Sequence, residues 1–354
     1  MVIPSLHPDE KLIRYVDDLI NNNISKILVV DDGSGEEYSS FFEKIKKDNV
    51  TVLTHETNLG KGAALKTAFN HIQNSLKEYE IIITADSDGQ HSVRDVIKVA
   101  KSVHQNKDSL VLGTRDFNQE HVPFKSKNGN KITTFVYKLL YGKYVPDTQT
   151  GLRGFNKKYL KNMNEIKGDR FEYEMNMLIY FSLNNFPLEF VEIETIYENN
   201  NTGSHFKPFR DSFKIYKVIF SNFFKFIASS LFTTGVDFLV YALLITTLEN
   251  TGIGKVTYIS ISSYTARLVS SIVNYTINHK YVFSMTSSNV SKKQSLIKYA
   301  ITCLLIISLS NLSTIFINKF LNINELIAKP ISDVVLFVLS YFIQRNWVFA
   351  NKKN

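Results

Sequence analysis

Two acidic turns carry residue types that could hold a divalent cation. Asp31 and Asp32 follow one apolar run, and Asp86 and Asp88 follow another, with Gln90 two residues further on. Their carboxylate and amide oxygens are the hard ligands that suit Mg²⁺ or Mn²⁺, and such an ion can also bridge a diphosphate. The pattern therefore predicts a site for one of these ions and a diphosphate. A solvated acidic turn is the alternative for either motif taken alone.

The residues around both turns follow the pattern of βαβ units on a mostly parallel sheet. Short β-branched runs alternate with amphipathic stretches through the first 120 residues. The predicted strands cover 26–30, 51–54, 80–85 and 109–113, and the predicted helices cover 12–21, 39–47, 61–73 and 93–104. Ligands bind outside the carboxyl ends of the strands in such an open α/β sheet, so both acidic turns are expected to face one crevice.

A glycine-rich turn precedes the third predicted helix. It reads Asn58-Leu59-Gly60-Lys61-Gly62 and could seat a phosphate at the helix N-terminus. The sequence has no Walker loop and no GxGxxG fingerprint. The turn is too short to identify a nucleotide-binding family by itself.

Length and charge divide the chain into two parts. Its 354 residues exceed what one core usually organises, so two domains are expected. Lys and Arg number 29 in residues 1–222 and 12 in residues 223–354, whereas Asp and Glu number 29 and 4. The net charge of +8 thus lies among long apolar runs, which favours a membrane protein over a nucleic-acid-binding one. The single cysteine, Cys303, excludes a disulfide framework and a cysteine-based zinc site.

The second part, residues 223–354, contains segments long enough to cross a bilayer. Four membrane helices are predicted, at 223–248, 256–283, 296–318 and 326–349. Four apolar segments in succession favour this over buried helices of a soluble protein. An amphipathic helix at 211–222 is expected to lie at the membrane interface before them.

Flanking charges predict the orientation of these helices. Lysines lie in the loop between the second and third segments and at the C-terminus, and no signal-peptide pattern opens the chain. The positive-inside rule then places both termini in the cytoplasm. The expected protein is a multi-pass protein of the plasma membrane with its first domain, residues 1–210, in the cytoplasm.

Two charged residues fall inside the predicted membrane helices. Asp237 and Arg267 reach similar depth in adjacent antiparallel segments. An unpaired charge at mid-membrane costs about 2.5 to 3.5 kcal/mol on insertion scales, so the two side chains are expected to pair. Whether the pair only holds the helices together or also contacts a lipid phosphate stays open at this point.

The motifs of the first part resemble the family 2 glycosyltransferases with a GT-A fold, in the polyprenyl-phosphate branch that includes dolichol-phosphate mannosyltransferase and GtrB-like enzymes. The resemblance runs through most of residues 2–217. It rests on Ile3-Pro4-Ser5, VVDDGS at 29–34, NLGKGAAL at 58–65, DSDGQH at 86–91, GTR at 113–115, DTQTGLRGF at 147–155 and RFEYE at 170–174. One departure is that the family's Tyr-Asn-Glu after the first strand reads Leu6-His7-Pro8 here, which leaves base recognition open.

This resemblance implies a role for individual residues. The nucleotide-sugar contacts would be Pro4, Asp31, Asp32, Lys61, Asp86, Gln149 and Glu172. The metal ligands for Mg²⁺ or Mn²⁺ would be Asp86, Asp88 and Gln90. The acceptor phosphate would meet Arg115, Lys125 and Lys127. The catalytic set would be Asp88, Arg115 and Arg210, with Arg210 closing over the donor diphosphate. Glu172 or Glu174 would orient the donor sugar, with a helix-start charge as the alternative.

A second resemblance covers residues 223–350, which look like the GtrA-like membrane family. Residues 225–228 and 274–283 recur at 298–301 and 340–349, as in a duplicated helical hairpin. GtrA-like proteins are proposed to help move, or to anchor, polyprenyl-linked sugars. The resemblance implies a lipid partner and proves no transport.

Four basic residues in the second half of the first domain suit a phosphate acceptor, with a solvated surface as the alternative for any one of them: Arg115, Lys125, Lys127 and Arg153. A phosphate monoester has a second pKa near 6 and is mostly dianionic at neutral pH, so it needs positioning rather than the general base that a sugar hydroxyl requires. The expected function is inverting transfer of a sugar from a nucleotide diphosphate sugar, with UDP favoured, to polyprenyl phosphate at the cytoplasmic membrane face. The alternative is a lipid-linked sugar translocase whose soluble domain is a docking module. A homo-oligomer is compatible with either.

Overall fold

The computed structural model describes residues 1–119, 122–195, 208–284 and 290–350. It divides into two compact units, Met1–Ile219 and Phe220–Asn354. The first unit is an α/β domain and the second is built from long helices.

In the described part of the first unit, seven strands form one sheet. They are β1 (Val2–Ser5), β2 (Ile27–Asp31), β3 (Val50–Thr54), β4 (Ile81–Thr84), β5 (Leu110–Arg115), β6 (Arg153–Asn156) and β7 (Leu188–Ile193). Their order is β3-β2-β1-β4-β6-β5-β7. Strand β6 runs antiparallel to both of its neighbours, and the other strand pairs are parallel. The predicted GT-A-like α/β fold with a mostly parallel sheet is therefore confirmed.

Eight helices accompany this sheet in the described residues. They are α1 (Glu10–Asn21), α2 (Ser39–Ile45), α3 (Lys61–Ser75), α4 (Val93–Gln105), α5 (Phe124–Tyr141), α6 (Leu160–Glu165), α7 (Glu172–Leu183) and α8 (Pro208–Ile219). The predicted strands correspond to β2 to β5 and the predicted helices to α1 to α4, with every boundary within two residues. Strand β1 and helix α8, which spans part of the predicted amphipathic segment, complete the ends of this unit.

The core lies where helices cover both faces of the central strands. Every residue of β1 and β2 is buried, which is why their sequences are continuous apolar runs rather than alternating ones. Helix α4 lies against β6 at Gly154, where an added Cβ would come within 2.6 Å of Val103 Cγ2. This close packing holds α4 against β6, the strand that lies between β4 and β5.

The second unit contains four long helices among its described residues, 220–284 and 290–350. They are α9 (Ser221–Leu248), α10 (Lys255–Ile277), α11 (Lys292–Leu321) and α12 (Glu325–Ile343), and one π-helical turn follows α10 at 278–282 and another follows α12 at 344–348. Among the described residues, three helical spans are long and apolar enough to cross a membrane: Ser221–Leu248, Lys292–Leu321 and Leu326–Val348. The span predicted at 256–283 is not among them. Its helix α10 is 23 residues long, but serine, threonine, asparagine and Arg267 lower its hydropathy.

Contacts between the two π-helical turns support the predicted duplication. Nδ2 of Asn278 donates a 3.0 Å hydrogen bond to Oε1 of Gln344, which lies 66 residues further along the chain. Phe283 and Phe349, separated by the same interval, stack with their ring centroids 5.1 Å apart. Corresponding residues of the two hairpins therefore meet each other.

Each hairpin also has an acid–serine contact between its helices. Nε of Arg267 lies 3.7 Å from Oδ1 of Asp237, and the Ser270 hydroxyl donates to the same oxygen at 2.8 Å. In the second hairpin the Ser310 hydroxyl donates to Oδ1 of Asp333 at 2.6 Å. The predicted pairing of Asp237 with Arg267 is confirmed.

This pairing predicts a double-variant result. Asp237→Leu or Arg267→Leu leaves one charge unpaired, at a cost of about 2.5 to 3.5 kcal/mol, and both single variants are expected to lose yield and thermal stability. The double variant removes both charges and is expected to recover most of the loss. Thermal unfolding in detergent checks this. The control is Lys255→Leu, at the first residue of α10, the helix that carries Arg267. Single variants as stable as wild type would show that the pair does not hold the hairpin together.

Candidate active site

Lys61 joins two carboxylates at the carboxyl edge of the sheet. Its Nζ lies 2.6 Å from Oδ1 of Asp86 and 2.9 Å from Oε2 of Glu174. Lys61 opens α3, Asp86 follows β4, and Glu174 lies in the first turn of α7. Burial alone would lower the pKa of Lys61, but the two carboxylates raise it above its ordinary value. The ammonium group therefore stays charged.

Glycines allow the start of α3 to approach α7 this closely. Gly60 has a φ of 108°, and a Cβ there would lie 2.4 Å from the carbonyl oxygen of Asp169. A Cβ on Gly62 would lie 2.6 Å from Cβ of Tyr173. The glycine-rich turn is thus required for backbone contact with the start of α7, and it fixes the position of Lys61.

Asp32 holds the same turn from the other side. Its carboxylate accepts hydrogen bonds from the backbone N–H groups of Leu59 (3.0 Å) and Gly60 (2.7 Å), and it contacts Nδ1 of His55 at 2.8 Å. Asp32 is only 4% exposed, and both of its carboxylate oxygens already have hydrogen-bond partners within the protein. Asp31 accepts a 2.9 Å hydrogen bond from the Ser34 N–H. These two residues shape the crevice from β2.

The Asp-Ser-Asp turn places two carboxylates of different character side by side. Burial would raise the pKa of Asp86, but Lys61 and His91 lower it well below its usual range. Burial and the neighbouring charge of Asp86 raise the pKa of Asp88 above its ordinary value. The backbone N–H of Gln90 donates to Oδ1 of Asp88 at 3.0 Å. A further positive charge beside Asp88 would stabilise its ionised form.

This donor set fits a hard divalent cation that also binds substrate. The described residues contain no group of three or more His, Cys, Asp or Glu side chains that could hold a metal ion. Mg²⁺ is commonly held by only one or two carboxylates, with phosphate oxygens and water completing its shell. Asp86 and Asp88, two carboxylates one residue apart in the turn after β4, match that pattern.

A second centre lies at the end of β5. Arg115 makes a bidentate pair with Asp147, with Nε 2.7 Å from Oδ2 and Nη2 3.2 Å from Oδ1. Asp147 is fully buried, and it also accepts a 3.1 Å hydrogen bond from the Gln149 N–H. The fork geometry orients the guanidinium group more firmly than a single contact would.

The loop at 147–151 connects the two centres. The Thr84 hydroxyl donates to the carbonyl oxygen of Gly151 at 3.0 Å. A Cβ on Gly151 would lie 2.3 Å from Oδ2 of Asp86, so only glycine permits this approach. The loop thus begins at Asp147, the partner of Arg115, and ends at Gly151, next to Asp86. It therefore links the Arg115–Asp147 centre to the Asp86–Lys61 centre.

Two family models match the chain. Glycosyl transferase family 2 matches residues 1–163, and the GtrA/DPMS transmembrane domain matches residues 225–349. An uncharacterized protein of Methanocaldococcus jannaschii is 34% identical over 201 residues, which cover 56% of this chain and 81% of the relative.

The chain belongs to glycosyl transferase family 2. It is a membrane protein with a GtrA/DPMS domain, and the glycosyltransferase activity expected from its sequence motifs is shown by its family. The UDP-N-acetylglucosamine–dolichyl-phosphate N-acetylglucosaminyltransferase of Methanococcus voltae is 31% identical over 56% of this chain and 85% of its own length. The undecaprenyl-phosphate 4-deoxy-4-formamido-L-arabinose transferase of Proteus mirabilis is 22% identical over 57% of this chain and 60% of its own length.

In this glycosyltransferase the two glutamates of RFEYE have different surroundings. Oε1 of Glu172 lies 3.3 Å from the Asp169 N–H and 3.4 Å from the Arg170 N–H, which act as donors at the start of α7. The structure thus supports the helix-start alternative for Glu172 and brings Glu174 to Lys61 instead. The sequence gave no sign of which of these two glutamates contacts Lys61, because they stand only two residues apart at the start of one helix.

Arg153 of the glycosyltransferase domain also has a structural task. It is 1% exposed, and its guanidinium donates to the backbone carbonyl groups of Thr150, Thr148 and Glu174. It therefore ties the 147–151 loop to α7 and is not available to an acceptor.

For the other predicted site residues of the glycosyltransferase, the structure gives a place in the fold or leaves the side chain undescribed. Pro4 is buried in β1 beside Val30 of β2, and Lys127 is half-buried in the first turn of α5. The side chains of Lys125 and Arg210 lie outside the part of the chain that the structure describes. Their roles stay predictions.

An aromatic pair lies near the predicted nucleoside region of the glycosyltransferase. The rings of His7 and Tyr38 stack with centroids 4.9 Å apart, and the His7 N–H donates to the Ser34 hydroxyl at 3.0 Å. His7 stands in the segment that departs from the family's usual motif, and no spacing rule links it to Tyr38. The pair offers a flat surface next to the Asp31 turn.

Proposed function

We propose that this glycosyltransferase transfers a sugar from a nucleotide diphosphate sugar to polyprenyl phosphate, with inversion at the anomeric carbon, at the cytoplasmic face of the plasma membrane. The observation that carries the proposal is the pairing of two centres through the 147–151 loop: the Asp86–Lys61 centre for the donor diphosphate and the Arg115–Asp147 centre for the acceptor phosphate.

UDP is the favoured nucleotide of the donor. The Methanococcus voltae relative, whose name gives UDP-N-acetylglucosamine as donor and dolichyl phosphate as acceptor, is 31% identical to this chain. The stacked rings of His7 and Tyr38 suit contact with a nucleoside base. Incubating the protein with UDP-N-acetylglucosamine, UDP-glucose or GDP-mannose and polyprenyl phosphate, and measuring nucleotide release, tests the choice of donor.

Asp86 and Asp88 are the residues that would hold Mg²⁺ or Mn²⁺, with the Gln90 side chain as a further predicted ligand. The bound ion would neutralise charge that develops on the leaving diphosphate. Lys61 lies within reach of the same phosphates, and Arg210 is proposed to close over them. These groups stabilise the departing nucleoside diphosphate, since its charge increases as the bond to the sugar breaks.

The acceptor supplies its own nucleophile. A phosphate oxygen of the lipid forms the new bond to the anomeric carbon from the face opposite the departing diphosphate, and the bond from that carbon to the diphosphate oxygen breaks. The dianionic phosphate monoester carries no proton that must be removed, so no general base is required. Arg115, oriented by Asp147, would hold this phosphate in line, and Lys125 and Lys127 would add positive charge.

Helix α5 supports a position of this domain at the membrane surface. It exposes Ile132, Phe135 and Leu139 at three- and four-residue spacing, with side chains 55%, 67% and 52% exposed. Exposed lysines, Lys131 and Lys138, flank this apolar stripe. An apolar face edged by lysines suits the interface of an anionic bilayer, where the lipid phosphate lies.

A truncated chain ending at Ile219 tests the contribution of the membrane domain. It keeps both centres and is expected to bind nucleotide sugar as the whole protein does. Transfer to long-chain polyprenyl phosphate in vesicles is expected to fall roughly tenfold or more, because an interfacial helix alone binds membranes weakly. Transfer to a short, water-soluble prenyl phosphate is the control and should change little. Unchanged transfer in vesicles would remove any catalytic need for the four helices.

A translocase with a docking module is less well supported than a transferase. The acidic pair Asp86 and Asp88 is retained together with its counter-ion Lys61, and Arg115 keeps a bidentate partner. A module used only for docking has no need of a cation site beside a phosphate site. Movement of the product by the GtrA-like domain is compatible with the proposed transfer and does not replace it.

A further inference from the structure

We propose that Lys61 is a built-in counter-ion that keeps the cation site closed to a free metal ion and opens it when the donor diphosphate binds. The inference rests on the proposed function, because it takes Asp86 and Asp88 as the metal ligands. It adds a task for Lys61 and Glu174, which is to couple metal binding to donor binding.

Lys61 already forms an ion pair with Asp86, one of the two proposed metal ligands. Its Nζ lies 2.6 Å from Oδ1 of Asp86, a normal distance for a charged hydrogen bond, and Nε2 of His91 lies 3.7 Å from Oδ2. A divalent ion that bound Asp86 alone would have to displace the ammonium group and remain next to it. Since Lys61 is only 16% exposed, water screens the two positive charges poorly. Binding of the metal ion alone is therefore unfavourable.

Glu174 gives the ammonium group a second partner. Its Oε2 lies 2.9 Å from Nζ of Lys61, and the residue is 7% exposed. Its other oxygen, Oε1, is buried and has no hydrogen-bond partner among the described residues. When the ammonium leaves Asp86 it keeps an ionic contact with Glu174. The exchange thus avoids a buried, unpaired charge, which would cost far more than a lost surface contact.

Only the side chain of Lys61 takes part in this exchange. Its backbone is fixed because Gly60 contacts Asp169 and Asp32 binds the Gly60 N–H at 2.7 Å. The ammonium group can therefore turn between nearby anions while the turn itself stays in place.

The charge of the site makes the exchange depend on the diphosphate. Two carboxylates, those of Asp86 and Glu174, contact one ammonium group, that of Lys61, and a third carboxylate, Asp88, stands two residues from Asp86 in the same turn. A diphosphate brings further anionic oxygens, so the metal ion and the ammonium group no longer compete for Asp86. Metal and donor are then expected to raise each other's affinity by the same factor.

Mn²⁺ binding to the full-length protein in detergent tests the inference. Affinity is measured by electron paramagnetic resonance without nucleotide, with UDP and with GDP. Lys61→Met removes the charge and keeps the side-chain length. Without nucleotide this variant is expected to bind Mn²⁺ about tenfold more tightly than wild type, and the gain in affinity on adding the preferred nucleotide is expected to shrink by about tenfold.

Two further variants separate this effect from a general change in charge. Lys66→Met removes a charge from the same helix, where Lys66 pairs with Asp169 at 2.8 Å, and should leave both quantities unchanged. Glu174→Gln removes the second partner, so that the ammonium stays on Asp86. This variant is expected to bind Mn²⁺ no more tightly than wild type and to lose part of the nucleotide-dependent gain.

Each outcome has a distinct meaning. If Lys61→Met binds Mn²⁺ more tightly but keeps the full nucleotide-dependent gain, only general electrostatics is at work and the inference is overturned. Unchanged Mn²⁺ affinity in Lys61→Met also overturns it. If wild type binds no Mn²⁺ with either nucleotide, the metal site of the proposed function is refuted, and the inference falls with it.

Discussion

Asp88→Asn is expected to reduce sugar transfer by about a thousandfold while the protein still folds and inserts. The substitution removes one of two carboxylates proposed to hold the cation, and a Lewis-acid contribution of several kcal/mol corresponds to a loss of this size. Folding should be retained because Asp88 is partly exposed and its hydrogen bond from the Gln90 N–H can be kept by an amide oxygen. Initial rates with labelled donor and polyprenyl phosphate measure the effect.

The matched control for this prediction is Asp48→Asn, an exposed aspartate before β3 that lies away from both centres. It should transfer sugar at the wild-type rate. Excess EDTA should abolish transfer by wild type, and added Mg²⁺ or Mn²⁺ should restore it. Full activity of Asp88→Asn, or of wild type in EDTA, would contradict the metal assignment.

Arg115→Lys is expected to lower kcat/KM for polyprenyl phosphate by about a hundredfold. Lysine keeps the positive charge but cannot form the two parallel contacts with Asp147, so the charge is no longer held in a fixed orientation. Loss of one preorganised contact to a phosphate costs on the order of a hundredfold in rate. The KM for nucleotide sugar should change little, because the donor is proposed to lie at Asp86.

Two variants accompany this measurement. Asp147→Asn keeps the guanidinium but weakens its orientation, so a smaller loss of acceptor kcat/KM is expected. Arg94→Lys, at an exposed position on α4, is the control for replacing arginine by lysine, and it should leave the acceptor kcat/KM unchanged. If Arg115→Lys instead raises the KM for the donor and leaves the acceptor kinetics unchanged, the assignment of the two centres is reversed. If Arg115→Lys and Asp147→Asn lose the same acceptor kcat/KM and the same Tm, the pair stabilises the fold and does not bind the acceptor.

Local sequence signals were sufficient for β2 to β5 and α1 to α4. These strands are short runs rich in apolar and β-branched residues, and three of the helices begin at recognisable signals: Asp9 before α1, Gly60 before α3 and Ser92 before α4. Strand β6 has no such pattern. It reads Arg-Gly-Phe-Asn, and it exists because β4 and β5 pair with it from either side. Pairing partners distant in sequence cannot be found from periodicity.

The acidic motif of the candidate site was also visible in the sequence, whereas the partners of its residues were not. Lys61 and Asp86 each stand in a recognisable turn, yet nothing in their spacing shows that they touch. Arg153 looked like an acceptor residue because its charge was visible and its burial was not. In the membrane domain the sequence predicted a helix at 256–283, and α10 lies there, but its many hydroxyl side chains keep it out of the three spans that are apolar enough to cross a membrane. The pairing of Asp237 and Arg267 followed from their depth.

The lipid product decides whether this protein is an inverting polyprenyl-phosphate glycosyltransferase. The full-length protein in vesicles that contain polyprenyl phosphate is supplied with labelled nucleotide sugar and a divalent cation, and the lipid extract is analysed by mass spectrometry for its mass and by NMR for its anomeric configuration. One product is expected, a polyprenyl-phosphate sugar with inverted anomeric configuration, formed in equal amount to the nucleoside diphosphate released. Nucleoside diphosphate release without a lipid-linked sugar, or a lipid product that retains the donor's anomeric configuration, would contradict the proposed function.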